Sequence, residues 1–462
     1  MFEIDDKVRE ECGVFGVWDK ERQNVAQQIY YGLLSLQHRG QEAAGIATCN
    51  SYGERGNLCL YKNMGLVTEV FNQENLAKME GNIGIGHVRY STTGASSIEN
   101  AQPLACYYQK GTLALVHNGN IVNSGALKKQ LMQEGMTFQA TTDTEVIKVL
   151  LAKLRGSSSS IEEAVKKLAP MLAGGYALLI MSPRKLIMVR DPLGLKPLCI
   201  GKTETGWVAA SESCALDSIG AEFVRDVRPG EIITISKNGM ESDTSMCSDA
   251  PKAHCVFEYI YFARLDSQID NVSVYSARFK GGQALAKAYP VEADIVSGVP
   301  ESGMTAAAGY AYQAGIPFVH AFHKNSYIGR TFIKPTQAER ESAVHMKLNV
   351  LADAVKGKRM VLIDDSIVRG TTIANLIRML RKAGALEVHV RICSPPFLYP
   401  CYYGTDVPDN NSLIAKKMSV EEICKSIGAD SLGYMRLEDL EEMTGDLQLC
   451  KSCFDGNYPT EV

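Results

Sequence analysis

At 462 residues the chain is longer than one ordinary hydrophobic core serves, so it divides into at least two domains. Its 45% hydrophobic and 22% charged residues are the balance of a globular protein, and a net charge of −4 gives no electrostatic case for nucleic acid or an anionic membrane as partner. No apolar run approaches the roughly 20 residues that span a bilayer, and thirteen cysteines with no export signal before them read as thiols, metal ligands or nucleophiles rather than a disulfide framework.

In chain order, the first eleven residues, MFEIDDKVREE, are acidic and lack an apolar core. Cys12 then opens CGVFGVW, a strand candidate. A cysteine there is either a small core residue or, once residues 1–11 are removed, an amino-terminal nucleophile. In the second case the freed α-amine, with a pKa of about 7.7–8.0, accepts the thiol proton. Helical periodicity follows in NVAQQIYYGLLSLQ. The strand NIGIGHVRY carries Arg89, a fork that matches a carboxylate. LALVHNGNI puts Asn118 and Gly119 at a strand end, where a side-chain amide and a backbone N–H suit an oxyanion. TTDTE places Asp143 before a helix, either to bind an α-ammonium or, with Thr142, to cap that helix. His38, His87 and His117 lie near strands or turns and read as structural. Helix IEEAVKKLAPML and strands YALLIMS, KLIMVRD and EIITIS complete this half, and the mixture predicts an α+β sandwich of sheets covered by helices.

SMCSDAPKAH, 245–254, reads as a linker. Beyond it strands and helices alternate (ADIVSGVP, MTAAAGYAYQAG, PFVHAFHK, RMVLIDDS, TTIANLIRMLRKAG, EVHVRICSPP), which predicts βαβ units on a parallel sheet. The polar stretch NSYIGRTFIKPTQAERES reads as a functional lid. In VLIDDSIVRGTT an apolar strand ends at Asp364 and Asp365, and a loop from Ser366 to Thr372 opens a helix. Hydroxyls and N–H groups at a helix start form an anion site. The two acids suit ribose hydroxyls or an Mg²⁺ on a neighbouring pyrophosphate. LCKSCFDGNYPTEV carries Cys450 and Cys453, a C-x2-C pair open between zinc, redox and iron–sulfur roles.

VLIDDSIVRGTT resembles the phosphoribosyl pyrophosphate (PRPP) motif of type I phosphoribosyltransferases. The resemblance implies that Ser366, Val368, Arg369, Gly370, Thr371 and Thr372 hold the 5-phosphate, while Asp364 and Asp365 contact the ribose. It further implies one Mg²⁺ per subunit near Ser302, Asp364 and Asp365, with Lys324, Arg330 and a lid at 324–345 over the pyrophosphate. CGVFGV, LQHRGQEAAGI, GHVRYSTTG, HNGNI, TDTEV and RDPLGLKPL resemble, in that order, the Ntn-type glutamine amidotransferases. That resemblance implies Cys12 as nucleophile, Asn118 and Gly119 as oxyanion donors, Arg89 for the glutamine carboxylate and Asp143 for its ammonium.

The two motif sets on one chain resemble the glutamine PRPP amidotransferase family, in its iron–sulfur, propeptide-bearing form. The fold it implies has a propeptide at 1–11 and a glutaminase domain at 12–240, a four-layer αββα Ntn-hydrolase sandwich. A type I phosphoribosyltransferase α/β domain follows at 255–400, then a tail at 401–462. It also implies one structural [4Fe–4S] cluster per subunit on Cys255, Cys401, Cys450 and Cys453, with Cys247 the rival of Cys255. The activity expected is transfer of ammonia from glutamine to PRPP, giving 5-phosphoribosylamine, in a cytoplasmic homo-oligomer (dimer or tetramer) inhibited by purine nucleotides. Two other readings are a purine-sensing regulator and a glutaminase with a different acceptor; PRPP-dependent release of glutamate separates them.

Overall fold

The computed structural model of the chain describes residues 12–21, 24–51, 58–90, 96–108, 110–325, 348–405, 407, 413–445 and 447–462. Two antiparallel sheets make up the first half. Seven strands run in the spatial order Glu222–Asp226, Cys199–Lys202, Gly206–Ala210, Gly13–Asp19, Ile83–Arg89, Ala43–Cys49 and Leu58–Met64. The other sheet has six: Gly239–Asp243, Ile232–Ser236, Lys185–Arg190, Gly174–Ser182, Gly111–Ile121 and Leu104–Tyr108.

Side chains alternate between the faces of a strand, and the sequence uses both faces for burial. Val14, Ile83 and Ile85 on one sheet meet Ala114, Val116, Ala177 and Leu179 on the other in a shared core. The outward face of the first sheet presents Phe15, Val17 and Val88 to Ile29 and Leu33 of the helix Ala26–Ser35. The outward face of the second presents Leu113, Leu115 and Leu178 to the helices Asp143–Gly156 and Ile161–Leu168. The result is the expected four-layer αββα sandwich. Inner strands such as Gly13–Asp19 and Gly174–Ser182 read as nearly continuous apolar runs because both faces are covered.

In the second half a parallel sheet runs Ile295–Gly298, Arg359–Asp364, Glu387–Ile392, Ser431–Tyr434. Helices Val274–Ala288 and Ser302–Ala314 pack on one face, Thr371–Lys382 and Val420–Ile427 on the other. At Gly282 a Cβ would lie 1.8 Å from the Ala306 carbonyl oxygen, so the first pair touches backbone to backbone. The fourth strand comes from the segment assigned to a tail, so the α/β unit does not end at residue 400. Its sequence, SLGY, is too short to register as a strand without its neighbour. The pairing of His254–Cys255 with Leu449–Cys450 then returns the chain to the start of this half.

Candidate functional site

Cys12 immediately precedes the strand Gly13–Asp19 and is 8% exposed. Its Sγ accepts from the Tyr90 N–H and donates to the Tyr90 carbonyl, both at 3.4 Å. Strand alternation gives Cys12 the same side as Val14, facing the second sheet. By the same count Asn118 shares the side of Val116 and faces the first sheet. Asn118 is wholly buried, and neither polar atom of its amide has a hydrogen-bond partner among the described residues. Such a group costs free energy unless a ligand meets it. Gly119 has φ +138°, and a Cβ there would lie 2.0 Å from the Gly175 oxygen, so only glycine serves.

Asp143 and Arg89 frame this place. Asp143 is the first residue of its helix and is buried. It accepts from the Ile121 N–H at 2.9 Å and the Thr144 N–H at 2.8 Å, which ties it to the strand of Asn118. Thr142 makes no side-chain cap. Arg89, 2% exposed, donates to Glu42 at 2.7 Å. The histidines are structurally engaged: His38 with Glu212, His87 with the His117 carbonyl, His117 with Thr144. Burial drives His87 down to about 3, so it is neutral at working pH.

A chain of buried charge, not read from the sequence, joins the two halves. Arg39 donates through Nε to the Cys12 carbonyl at 3.1 Å. Its other nitrogens donate to Glu212 at 2.6 Å and, in bidentate fashion, to Glu258 at 2.9 and 2.6 Å. Burial alone would raise Glu212, but His38 and Arg39 hold it well below the carboxylate range. Glu258 opens the single-turn π-helix Glu258–Phe262. Carbonyls at the far side of that turn, Tyr259, Tyr261 and Ala263, accept from Arg278 at 2.8, 2.8 and 2.7 Å. Burial lowers the Arg278 guanidinium, and the Asp365 carboxylate acts against it.

Asp364, Asp365 and Ser366 are buried at the carboxyl end of their strand. Asp365 accepts from Ser366 Oγ at 2.5 Å and, through its other oxygen, from Ser302 Oγ. The turn 298–303 is thereby held against the acid pair. At Gly303 a Cβ would lie 2.4 Å from the Ile363 oxygen, so glycine lets that helix start approach. Val368 is buried, and its carbonyl accepts from the Ile414 N–H at 2.9 Å. Gly370, at φ +86°, precedes the helix Thr371–Lys382, whose first residues are Thr371 and Thr372. Lys324 pairs with Glu301 of the turn at 3.5 Å. Arg330 and the stretch 326–345 of the expected lid lie outside the described residues, as do residues 1–11.

Cys255, Cys401, Cys450 and Cys453 line one cavity with Lys196, Phe257 and Tyr403. Cys255 and Cys450 are register partners. Burial pushes Cys450 up to about 11; it pushes Cys453 far up as well, with Cys401, Cys450 and Cys255 adding to the shift. Cys247 does not line the cavity, and its thiol is pushed up by burial and by the charge of Glu231.

Comparison with known proteins gives a consistent result. A glutamine amidotransferase domain family matches residues 87–218 and a phosphoribosyl transferase domain family matches residues 280–393. A Methanocaldococcus jannaschii protein named amidophosphoribosyltransferase is 49% identical over 98% of both chains. One of the same name from Bacillus subtilis is 48% identical, covering 98% of this chain and 95% of its own. The solved structure of the B. subtilis glutamine PRPP amidotransferase, complexed with ADP and GMP, matches with a TM-score of 0.90 at 47% identity, covering 97% and 98%.

Proposed function

The chain belongs to the amidophosphoribosyltransferase family, in which ammonia from glutamine displaces pyrophosphate from PRPP to give 5-phosphoribosylamine at the start of purine synthesis, and from that premise we propose how its residues divide the work. Removal of residues 1–11 frees the Cys12 α-amine, which takes the thiol proton as Sγ attacks the glutamine side-chain amide. The C–N bond breaks, ammonia leaves carrying the returned proton, and water releases glutamate from the thioester. Arg89 binds the substrate carboxylate and Asp143 its ammonium. Asn118 Nδ2 and the Gly119 N–H meet the oxyanion. One observation carries this reading: a wholly buried amide at Asn118, unpartnered among the described residues, on the inter-sheet side that Cys12 also faces.

At the second site the loop Ser366–Thr372 takes the 5-phosphate, and Asp364 with Asp365 orients the ribose hydroxyls. Ammonia forms the new bond at C1 as the bond to pyrophosphate breaks, and Lys324 meets the charge that builds on the leaving group. The oxygen donors of Asp364, Asp365 and Ser302 fit Mg²⁺, which takes one or two carboxylates and completes its shell with substrate phosphates and water. When bound it neutralises pyrophosphate.

Four thiols on one cavity are the donor set of an iron–sulfur group. We assign Cys255, Cys401, Cys450 and Cys453 to a [4Fe–4S] cluster with a structural role, since they staple three distant segments. Purine nucleotides are the proposed feedback inhibitors, supported by the ADP and GMP in the B. subtilis structure. The test is glutamate release with and without PRPP. Strong stimulation supports the coupled enzyme, and indifference to PRPP contradicts it.

A further inference from the structure

Lys196 is 1% exposed, a buried cation to which the scheme above gives no role. Its backbone is pinned on both sides: its N–H donates to Asp191 Oδ2 at 3.1 Å and its carbonyl accepts from Arg190 Nε at 2.8 Å. The side chain lies between two features. It lines the four-thiol cavity. It also approaches Gly404, which lies against the oxyanion strand. A Cβ built on Gly404 would lie 3.2 Å from Lys196 Nζ and 3.3 Å from the Gly119 carbonyl carbon; one built on Gly175 would lie 3.5 Å from Lys196 Cε.

The segment Cys401–Gly404 rests on the same strand. Asn120 Nδ2 donates to the Tyr402 carbonyl at 2.8 Å, two residues beyond Asn118. A cavity ligand and an oxyanion donor are therefore connected through a few backbone atoms and one buried lysine. A buried ammonium is sustained by anions and dipoles facing it. Four thiolates around a bound iron–sulfur core of lower charge would leave a net anion in the cavity that Lys196 lines.

We propose that Lys196 is a positioning residue for both sites, its ammonium offsetting the charge of the thiolate set and holding Cys401–Gly404 against the Asn118–Gly119 strand. The first part rests on the cluster assignment; the second does not. The test uses the full-length enzyme, purified without air, as wild type, Lys196→Met and Lys196→Arg. The readouts are iron per chain, loss of visible absorbance in air, glutamine kcat and KM, and ammonia-dependent synthesis from PRPP.

Lys196→Met is expected to lose its absorbance several-fold faster than wild type. Its glutamine kcat should fall about tenfold with KM little changed, since outright loss of one oxyanion donor costs about 10²–10³. Lys196→Arg should restore most of both, and ammonia-dependent synthesis should hold throughout. Wild-type decay together with wild-type kcat in Lys196→Met overturns the proposal. Iron-free wild type overturns the cluster assignment instead, and the kcat result alone then decides on Lys196. Should Lys196→Met not fold, Asn120→Ala removes the tie from the other side and is expected to lower kcat in the same way; unchanged kcat there overturns the proposal.

Discussion

Asn118 holds its amide in a dry layer where nothing among the described residues meets it. Asn118→Ala is therefore expected to lower glutaminase kcat by about 10²–10³ with a small change in KM, because the donor is used when charge develops on the amide oxygen. Steady-state kinetics check this, with ammonia-dependent synthesis as the control for folding. The proposed α-amine base would also set the pH dependence. Glutamine kcat/KM should rise with pH to a plateau through an apparent pKa of about 7.7–8.0, as the amine loses its proton and becomes able to accept one. No histidine limb is expected from His87, which burial keeps neutral. Several of these residues were legible in the sequence because each sits in a short motif at a strand end. Arg39 and Glu258 were not. Their contact joins positions 219 apart, and a charged side chain inside LQHRGQ or EYIYFAR gives no local sign of its partner.

Among the elements, the helix start at Ser302 is tightly constrained. Gly303 allows it to lie on the carbonyl of Ile363, next to Asp364. Gly303→Ala is expected to destabilise the second half by about 1–3 kcal/mol through overpacking and to raise the KM for PRPP. Thermal unfolding and PRPP titration measure both. The strand–loop–helix around Asp364 was readable because hydrophobic period, acid pair and hydroxyl-rich turn agree. The fourth strand was not, since Ser431–Tyr434 acquires its identity only by pairing with Glu387–Ile392. The four cysteines come from three segments that lie far apart in sequence, and the parallel pairing of Cys255 with Cys450 sets two of those segments side by side.

For the whole molecule, the halves are joined by buried ion pairs beside a small apolar cluster around Leu195 and Tyr403. Glu212 and Asp270 are both held below the ordinary carboxylate range despite burial, by His38 and Arg39 in one case and by Arg190 in the other. A carboxylate with a depressed folded-state pKa contributes stability that is fully present above its unfolded value. That stability is lost as pH falls below it, here below about 4. Melting temperature should drop on acidification through this window, and Glu212→Gln should flatten the slope while lowering stability at neutral pH. Glu258→Ala leaves Arg39 with one buried partner fewer and is expected to cost about 3–5 kcal/mol. Because Arg39 also holds the Cys12 carbonyl, the same variant should weaken the stimulation of glutaminase by PRPP.

In the proposed mechanism all of the glutamine chemistry depends on a chain that starts at Cys12. Intact-mass measurement of the purified enzyme, paired with glutaminase activity on the same sample, tests this directly. Active protein is expected to lack residues 1–11, and a form unable to shed them to use ammonia but not glutamine. Full glutaminase activity in protein that retains Met1 would contradict it.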